Sequence, residues 1–214
     1  PSRHQAVFGS RSKSCERLDG TVMLESGGSA SSKYDLAQRL TQRGSIKSRR
    51  VFDVMIAVDR ANYAPAFPYV DRPLSVGSGA TISAPHMHAQ ALELLANHLQ
   101  PGARALDVGC GSGYLSACMA RMVGHAGRVI GIDIVEELVR LSRTNVCKAD
   151  QDLLDTGHLT FAQGDGWSGH VLLGGPFNAI HVGAAADKVP QALLDLLALS
   201  GRMVIPVGPV MGPQ

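Results

Sequence analysis

An α/β fold on a doubly wound, mostly parallel sheet is predicted by three observations. After Pro101 and Gly102 short apolar runs alternate with amphipathic helical stretches, a glycine turn follows the first run, and acids close three successive runs. Such alternation packs helices over a parallel sheet, and ligands then bind beyond the carboxyl ends of the strands. The expected strands are 105–108, 128–134, 159–163, 177–182 and 203–207. Between them, Leu115, Met119 and Met122 share one helix face, 136–147 forms a second helix, and Pro190 opens a third over 190–199.

Upstream, Leu36 and Leu40 lie four apart, and after the Gly44 break Val51, Met55 and Val58 repeat on one face, so two short helices precede the core. Residues 62–82 contain Pro65, Pro68, Pro73, Gly77 and Gly79, a density of breakers that predicts an irregular loop ordered by Tyr63, Phe67 and Tyr69. A helix carrying Leu92, Leu95 and Leu99 follows, with Ser83 as its expected N-cap. Residues 1–32 are Ser-rich and show no apolar period, which predicts a disordered leader. The expected organisation is that leader, then a domain over 33–214 made of N-terminal helices and a substrate loop (33–100) and a cofactor-binding core (101–214).

Composition narrows the function. With 214 residues and 45% hydrophobic content the chain can bury a core, and a net charge of +2 lacks the basic excess of a protein that grips nucleic acid. No apolar run reaches the roughly 18 residues of a membrane-spanning helix, so neither nucleic acid nor membrane is an expected partner. Cys15, Cys110, Cys118 and Cys147 show neither CxxC nor zinc-ligand spacing, which predicts free thiols in a reducing compartment. Arg3, Arg11 and Lys13 with no acid among the first fifteen residues leave organellar targeting as the alternative.

The segment Leu106-Asp107-Val108-Gly109-Cys110-Gly111-Ser112-Gly113 runs from a buried strand through a glycine turn into a helix. A dinucleotide fingerprint would place a small residue three after Gly111, where Tyr114 stands. Asp107, two residues before the first glycine, would repel a pyrophosphate and attract an ammonium group. S-adenosylmethionine, with an amine and a cationic sulfonium, fits. Asp133 closes the second strand where a carboxylate can accept from both ribose hydroxyls. Asp165, in Gly164-Asp165-Gly166 after the third strand, is suited to accept from an adenine amine.

These segments, with Ala80-Thr81-Ile82-Ser83-Ala84-Pro85-His86-Met87-His88-Ala89, His181-Val182-Gly183-Ala184-Ala185-Ala186 and Ile205-Pro206-Val207-Gly208, resemble the protein-L-isoaspartate (D-aspartate) O-methyltransferases over about residues 33–210. The resemblance implies a Rossmann-like class I S-adenosylmethionine-dependent methyltransferase. Such an enzyme methylates the free α-carboxyl of isoaspartyl residues, or the β-carboxyl of D-aspartyl residues, in damaged proteins, and it is usually monomeric and cytosolic. It implies that Ser83 lies at the reacting carboxylate, that Ala80, Thr81, Ile82 and His88 line the cleft, and that Ser112, Asp133, Asp165 and Gly166 bind the cofactor. Asn178 and Ser200 depart from the family's pattern, and the family's last strands are missing after Gln214.

The chemistry is consistent with this. An isoaspartyl α-carboxyl has a pKa of about 3.5, so near neutrality the nucleophile is already an anion and no general base is needed. The enzyme must place that carboxylate in line with the sulfonium methyl and exclude water. His86 and His88 form H-x-H, but no third ligand has metal spacing and no metal is expected. His181 is expected to be a hydrogen-bonded core histidine, and Trp167 either a cleft wall or plain packing. Two other readings stand beside this one: a methyltransferase for another small substrate, and a non-catalytic binder of cofactor or isoaspartyl protein.

Overall fold

The computed structural model describes residues 30–168 and 175–208. Five parallel strands form the central sheet: β3 (Arg104–Val108), β4 (Arg128–Asp133), β5 (Leu159–Gln163), β6 (Phe177–Val182) and β7 (Leu197–Val204), in the order β5-β4-β3-β6-β7. From β3 the chain adds β4 and β5 on one side and then β6 and β7 on the other, so the switch point, which opens the crevice at the strands' carboxyl ends, lies between β3 and β6.

Alternation along β3 shows why the sheet is buried on both faces. Leu106 and Val108 join Ile132, Phe177, Ile180 and Val182 in one apolar cluster, capped by Leu193 of α7 (Gln191–Asp195). Ala105 faces the larger cluster on the other side, with α1 (Lys33–Gln42), α2 (Arg49–Ala57), α3 (Pro85–Leu95), α4 (Tyr114–Val123), α5 (Glu136–Cys147) and α6 (Gln151–Asp155). Ser32 and Ser48 cap α1 and α2 by accepting from Asp35 N and Val51 N.

Four expectations change. Of the leader expected over 1–32, residues 1–29 lie outside the described part, while Ala30 is buried in the core and Ser32 caps α1. The loop expected over 62–82 contains an antiparallel hairpin, β1 (Leu74–Gly77) and β2 (Ala80–Ile82), which among the described residues pairs only with itself. Its two central residues, Ser78 and Gly79, have φ of 49° and 73°, the primed turn that suits the strand twist. The helix expected over 190–199 stops at Asp195, and β7 starts at Leu197 rather than 203: the ladder to Phe177 overrides the helical propensity of this Leu/Ala-rich stretch. Ser83 is not the N-cap of α3; Ala84 is, with no side-chain bond, and the Asp71 carboxylate accepts from His86 N instead, at 3.0 Å.

Candidate cofactor and substrate site

A cleft of about 600 Å³ opens at the carboxyl ends of β3, β4 and β6, lined by hairpin residues Gly79, Ala80 and Thr81, by the loop glycines, and by Asp133, Asp165 and Trp167. Its floor is backbone. Gly109 and Gly111 hold φ of 74° and 53°, which a side chain rarely adopts. The loop is pinned to the sheet where Gly109 N and Cys110 N both donate to Ile132 O, at 2.8 and 3.0 Å. A Cβ at Gly166 would lie 2.5 Å from Val108 Cγ1, and one at Gly183 would lie 2.9 Å from Gly109 O. The backbone is thus exposed to whatever fills the cleft.

Asp133, at the end of β4, is 5% exposed. Its Oδ2 accepts from Gly111 N at 3.0 Å and its Oδ1 from Val135 N at 3.1 Å, so one carboxylate fixes both the glycine loop and the entry into α5. Each oxygen keeps a second lone pair for a ligand. Asp165 is exposed on the same rim, with Oδ1 accepting from Trp167 N at 2.9 Å. Trp167, at 41% exposure, is a cleft wall, and Ile134, at 66%, lies beside it.

Five expected cofactor residues, Ile82, Ser83, His88, Asp107 and Ser112, are not among those lining this cleft. Asp107 is 1% exposed, and its oxygens accept from Ser116 Oγ at 2.5 Å and bond His181 Nδ1 at 2.8 Å. Asp107 and His181 are register partners on β3 and β6, so the carboxylate faces α4 beneath the sheet surface rather than the cleft. The expected direct contact with an ammonium group is therefore revised; His181 is hydrogen-bonded as expected, but it is partly buried, at 16% side-chain exposure, rather than in the core. Ser112 is 3% exposed: its hydroxyl accepts from Tyr114 N at 3.4 Å and its carbonyl from Asn145 Nδ2 at 3.0 Å, so the side chain shapes the loop from within. His88 is on the buried face of α3, its ring centroid 5.0 Å from that of Tyr114.

Ala80 and Thr81 line the cleft, Ile82 is buried below them, and Ser83 follows half-buried, its hydroxyl without a bond to any described residue. Behind Ser83 stands a residue the sequence reading passed over. Arg60, in the short 3-10 turn Arg60–Asn62, is 1% exposed. Its Nη2 donates to Ser83 O at 2.8 Å, its Nη1 meets His88 Nδ1 at 3.2 Å, and its guanidinium lies 5.6 Å from the Tyr114 ring centre. Burial, and next the charge of Arg60, hold the His88 pKa well below the ordinary 6.5. That imidazole is neutral, and because Arg60 can only donate, Nδ1 is the acceptor and the ring hydrogen sits on Nε2. Among the described residues no cluster of His, Cys, Asp and Glu has metal-site geometry, and no helix is long and apolar enough to cross a membrane.

Bare glycine backbone, the apolar Val108, Leu138 and Ile134, and two acceptor carboxylates fit an adenosyl ligand lying along the strand ends. Comparison with known proteins agrees. The family model described as protein-L-isoaspartate(D-aspartate) O-methyltransferase matches residues 31–214. A Caenorhabditis elegans protein-L-isoaspartate O-methyltransferase is 50% identical over 186 residues, covering 87% of this chain and 82% of that one. The Arabidopsis thaliana protein-L-isoaspartate O-methyltransferase 2 is 49% identical over 188 residues, 86% of this chain and 60% of that one. The crystal structure assigned to the Plasmodium falciparum enzyme, in complex with S-adenosyl-L-homocysteine, superposes with a TM-score of 0.79 at 39% identity, covering 84% of this chain and 86% of that one. The chain belongs to the protein-L-isoaspartate(D-aspartate) O-methyltransferase family.

Proposed function

We propose that the protein transfers a methyl group from S-adenosylmethionine to the α-carboxyl of isoaspartyl residues, or the β-carboxyl of D-aspartyl residues, in damaged proteins. The observation that carries this reading is Asp133, a buried carboxylate that organises the glycine loop and still faces a cleft of adenosyl size. When bound, S-adenosylmethionine supplies the methyl group, whose transfer to a carboxylate oxygen leaves S-adenosylhomocysteine. Asp133 accepts from the ribose hydroxyls, Asp165 accepts from the adenine amine, and the backbone at Gly109, Gly111 and Gly166 lets the ligand approach. Trp167 and Ile134 exclude water at the adenine end.

Ser83 is the substrate-facing residue. Its free hydroxyl donates one hydrogen bond to the carboxylate, which holds the anion in line without quenching it. The nucleophile arrives ionised, so the site needs orientation more than proton transfer. Ala80 and Thr81 line the cleft and Ser83 follows β2 directly, within reach of a substrate entering beside them, while His88 and Ser112 support this arrangement from below. The substrate is a protein or peptide, the protein acts as a monomer, and its place is the cytoplasm.

Radiolabelled methyl transfer to an isoaspartyl peptide and to its normal aspartyl twin tests the reading. Base-labile methyl ester on the isoaspartyl peptide alone is expected. Equal labelling of both, or none of either by cofactor-loaded protein, would refute it.

A further inference from the structure

The buried guanidinium of Arg60 has one feature that a packing role leaves unexplained. Arginine is rarely so deeply buried unless a carboxylate matches its charge. Among the described residues no carboxylate forms an ion pair with Arg60, and its Nε has no hydrogen-bond partner at all. The groups packed around it are uncharged. His88 is neutral, and burial holds the Cys118 thiol and the Tyr114 phenol protonated. The two neighbouring acids are engaged elsewhere: Asp71 with His86 and Arg43, Asp59 with Tyr69 and Lys33. A full positive charge thus sits behind Ser83 with no carboxylate in ion-pair contact among the described residues; the Asp71 charge reaches it only from a distance. Burial draws the Arg60 pKa down only to about 10, so it stays charged near neutrality.

The neighbour that this charge does touch is the carbonyl of Ser83, the residue whose hydroxyl is free. We propose that Arg60 is a positioning residue of the site. Its buried guanidinium, fixed to the Ser83 backbone, supplies the positive charge that selects a carboxylate over an uncharged group at the Ser83 hydroxyl. The arriving α-carboxylate is the missing counter-charge. It meets the Arg60 field through one residue of protein, in a low-dielectric setting where salt screens little. Because Arg60 also donates to the Ser83 carbonyl, it holds the segment between β2 and α3 in place as that charge is matched.

This inference rests on the function proposed above, so the test separates the two. Calorimetry on the full chain loaded with S-adenosylhomocysteine compares an isoaspartyl peptide with its α-carboxamide twin, which has the same shape and no charge. Wild type is expected to prefer the carboxylate. Arg60→Met and Arg60→Gln should lower that preference by about tenfold or more, the scale of one nearby charge at an effective dielectric of about 20, while Arg60→Lys keeps most of it. Sites are counted by S-adenosylhomocysteine stoichiometry, so a misfolded fraction drops out. A merely structural role would weaken both peptides equally. Arg60→Gln retaining the wild-type preference, or wild type binding both twins alike, overturns the proposal. Failure of wild type to methylate the isoaspartyl peptide strikes the proposed function instead.

Discussion

Replacing Asp133 by alanine removes an acceptor that serves Gly111 N and Val135 N and, in the function proposed above, the ribose of the cofactor. A hydrogen bond to a charged group contributes about 1.5–3 kcal/mol, so loss of the ribose contact alone should weaken S-adenosylhomocysteine by roughly 10- to 150-fold. The free protein loses less, about 1–2 kcal/mol, because the cleft is open and water can reach the two released N–H groups. Asp133→Asn is not a gentle substitute. Its amide must turn an NH2 toward either Gly111 N or Val135 N, setting donor against donor across about 3 Å. Both variants should therefore bind weakly, and Asn should be no better a host for the loop than Ala. Isothermal titration with S-adenosylhomocysteine and urea unfolding on each variant read the two effects separately. An Asp133→Ala affinity within about twofold of wild type would show that this carboxylate only shapes the loop.

Ser83→Ala should lower turnover by about 10- to 100-fold with little change in cofactor affinity, and should leave the urea midpoint within about 0.5 kcal/mol of wild type, because the hydroxyl caps nothing. Mass spectrometry after a single turnover should find no methylated serine in wild type. Gly166→Ala drives a Cβ to 2.5 Å from Val108 Cγ1 and should cost about 1–3 kcal/mol in urea unfolding together with cofactor affinity. Adding Val108→Ala should recover part of that loss, and strict additivity would contradict the clash. Arg121→Met strips Asp150, 2% exposed, of an ion pair at 2.8 Å and leaves it the Tyr63 hydroxyl at 2.7 Å, for a loss of about 1–3 kcal/mol after allowing for the exposure of Arg121. Arg121 also holds the Asp152 carboxyl below its ordinary 3.8, so that contribution is complete above pH 3.8 and fades as pH falls through the lower folded value. The gap between wild type and variant in urea titrations should narrow in acid.

The cofactor half of the site was legible because its chemistry is local. A strand, a glycine turn and an acid at the next strand end follow one another in sequence, and Asp133 and Asp165 sit on the rim where the spacing put them. Asp107 was misread for the opposite reason. Its partner His181 is 74 residues away, and nothing in the sequence near Asp107 says that β6 lies beside β3. Arg60 escaped notice because one arginine among twenty basic residues carries no pattern; only its burial singles it out. The hairpin was visible in principle. A Gly-Ser-Gly flanked by Leu74, Val76 and Ile82 is a primed-turn signal, outweighed by the prolines before it. The early start of β7 was not, since Leu197–Val204 acquires its strand character from Phe177 and its neighbours in β6.

The glycine floor of the cleft divides the ligand site into a part that evolution can edit and a part that it cannot. At Gly166 and Gly183 any side chain collides with Val108 or with the Gly109 carbonyl, and at Gly109 and Gly111 the positive φ makes one strained. A substitution there costs backbone strain or a clash with the sheet before it can tune what the site accepts. The variable alphabet is confined to the rim, where Thr81, Ile134, Asp165 and Trp167 are exposed and can change at little cost to the core. A library meant to admit an altered cofactor therefore belongs at those four positions.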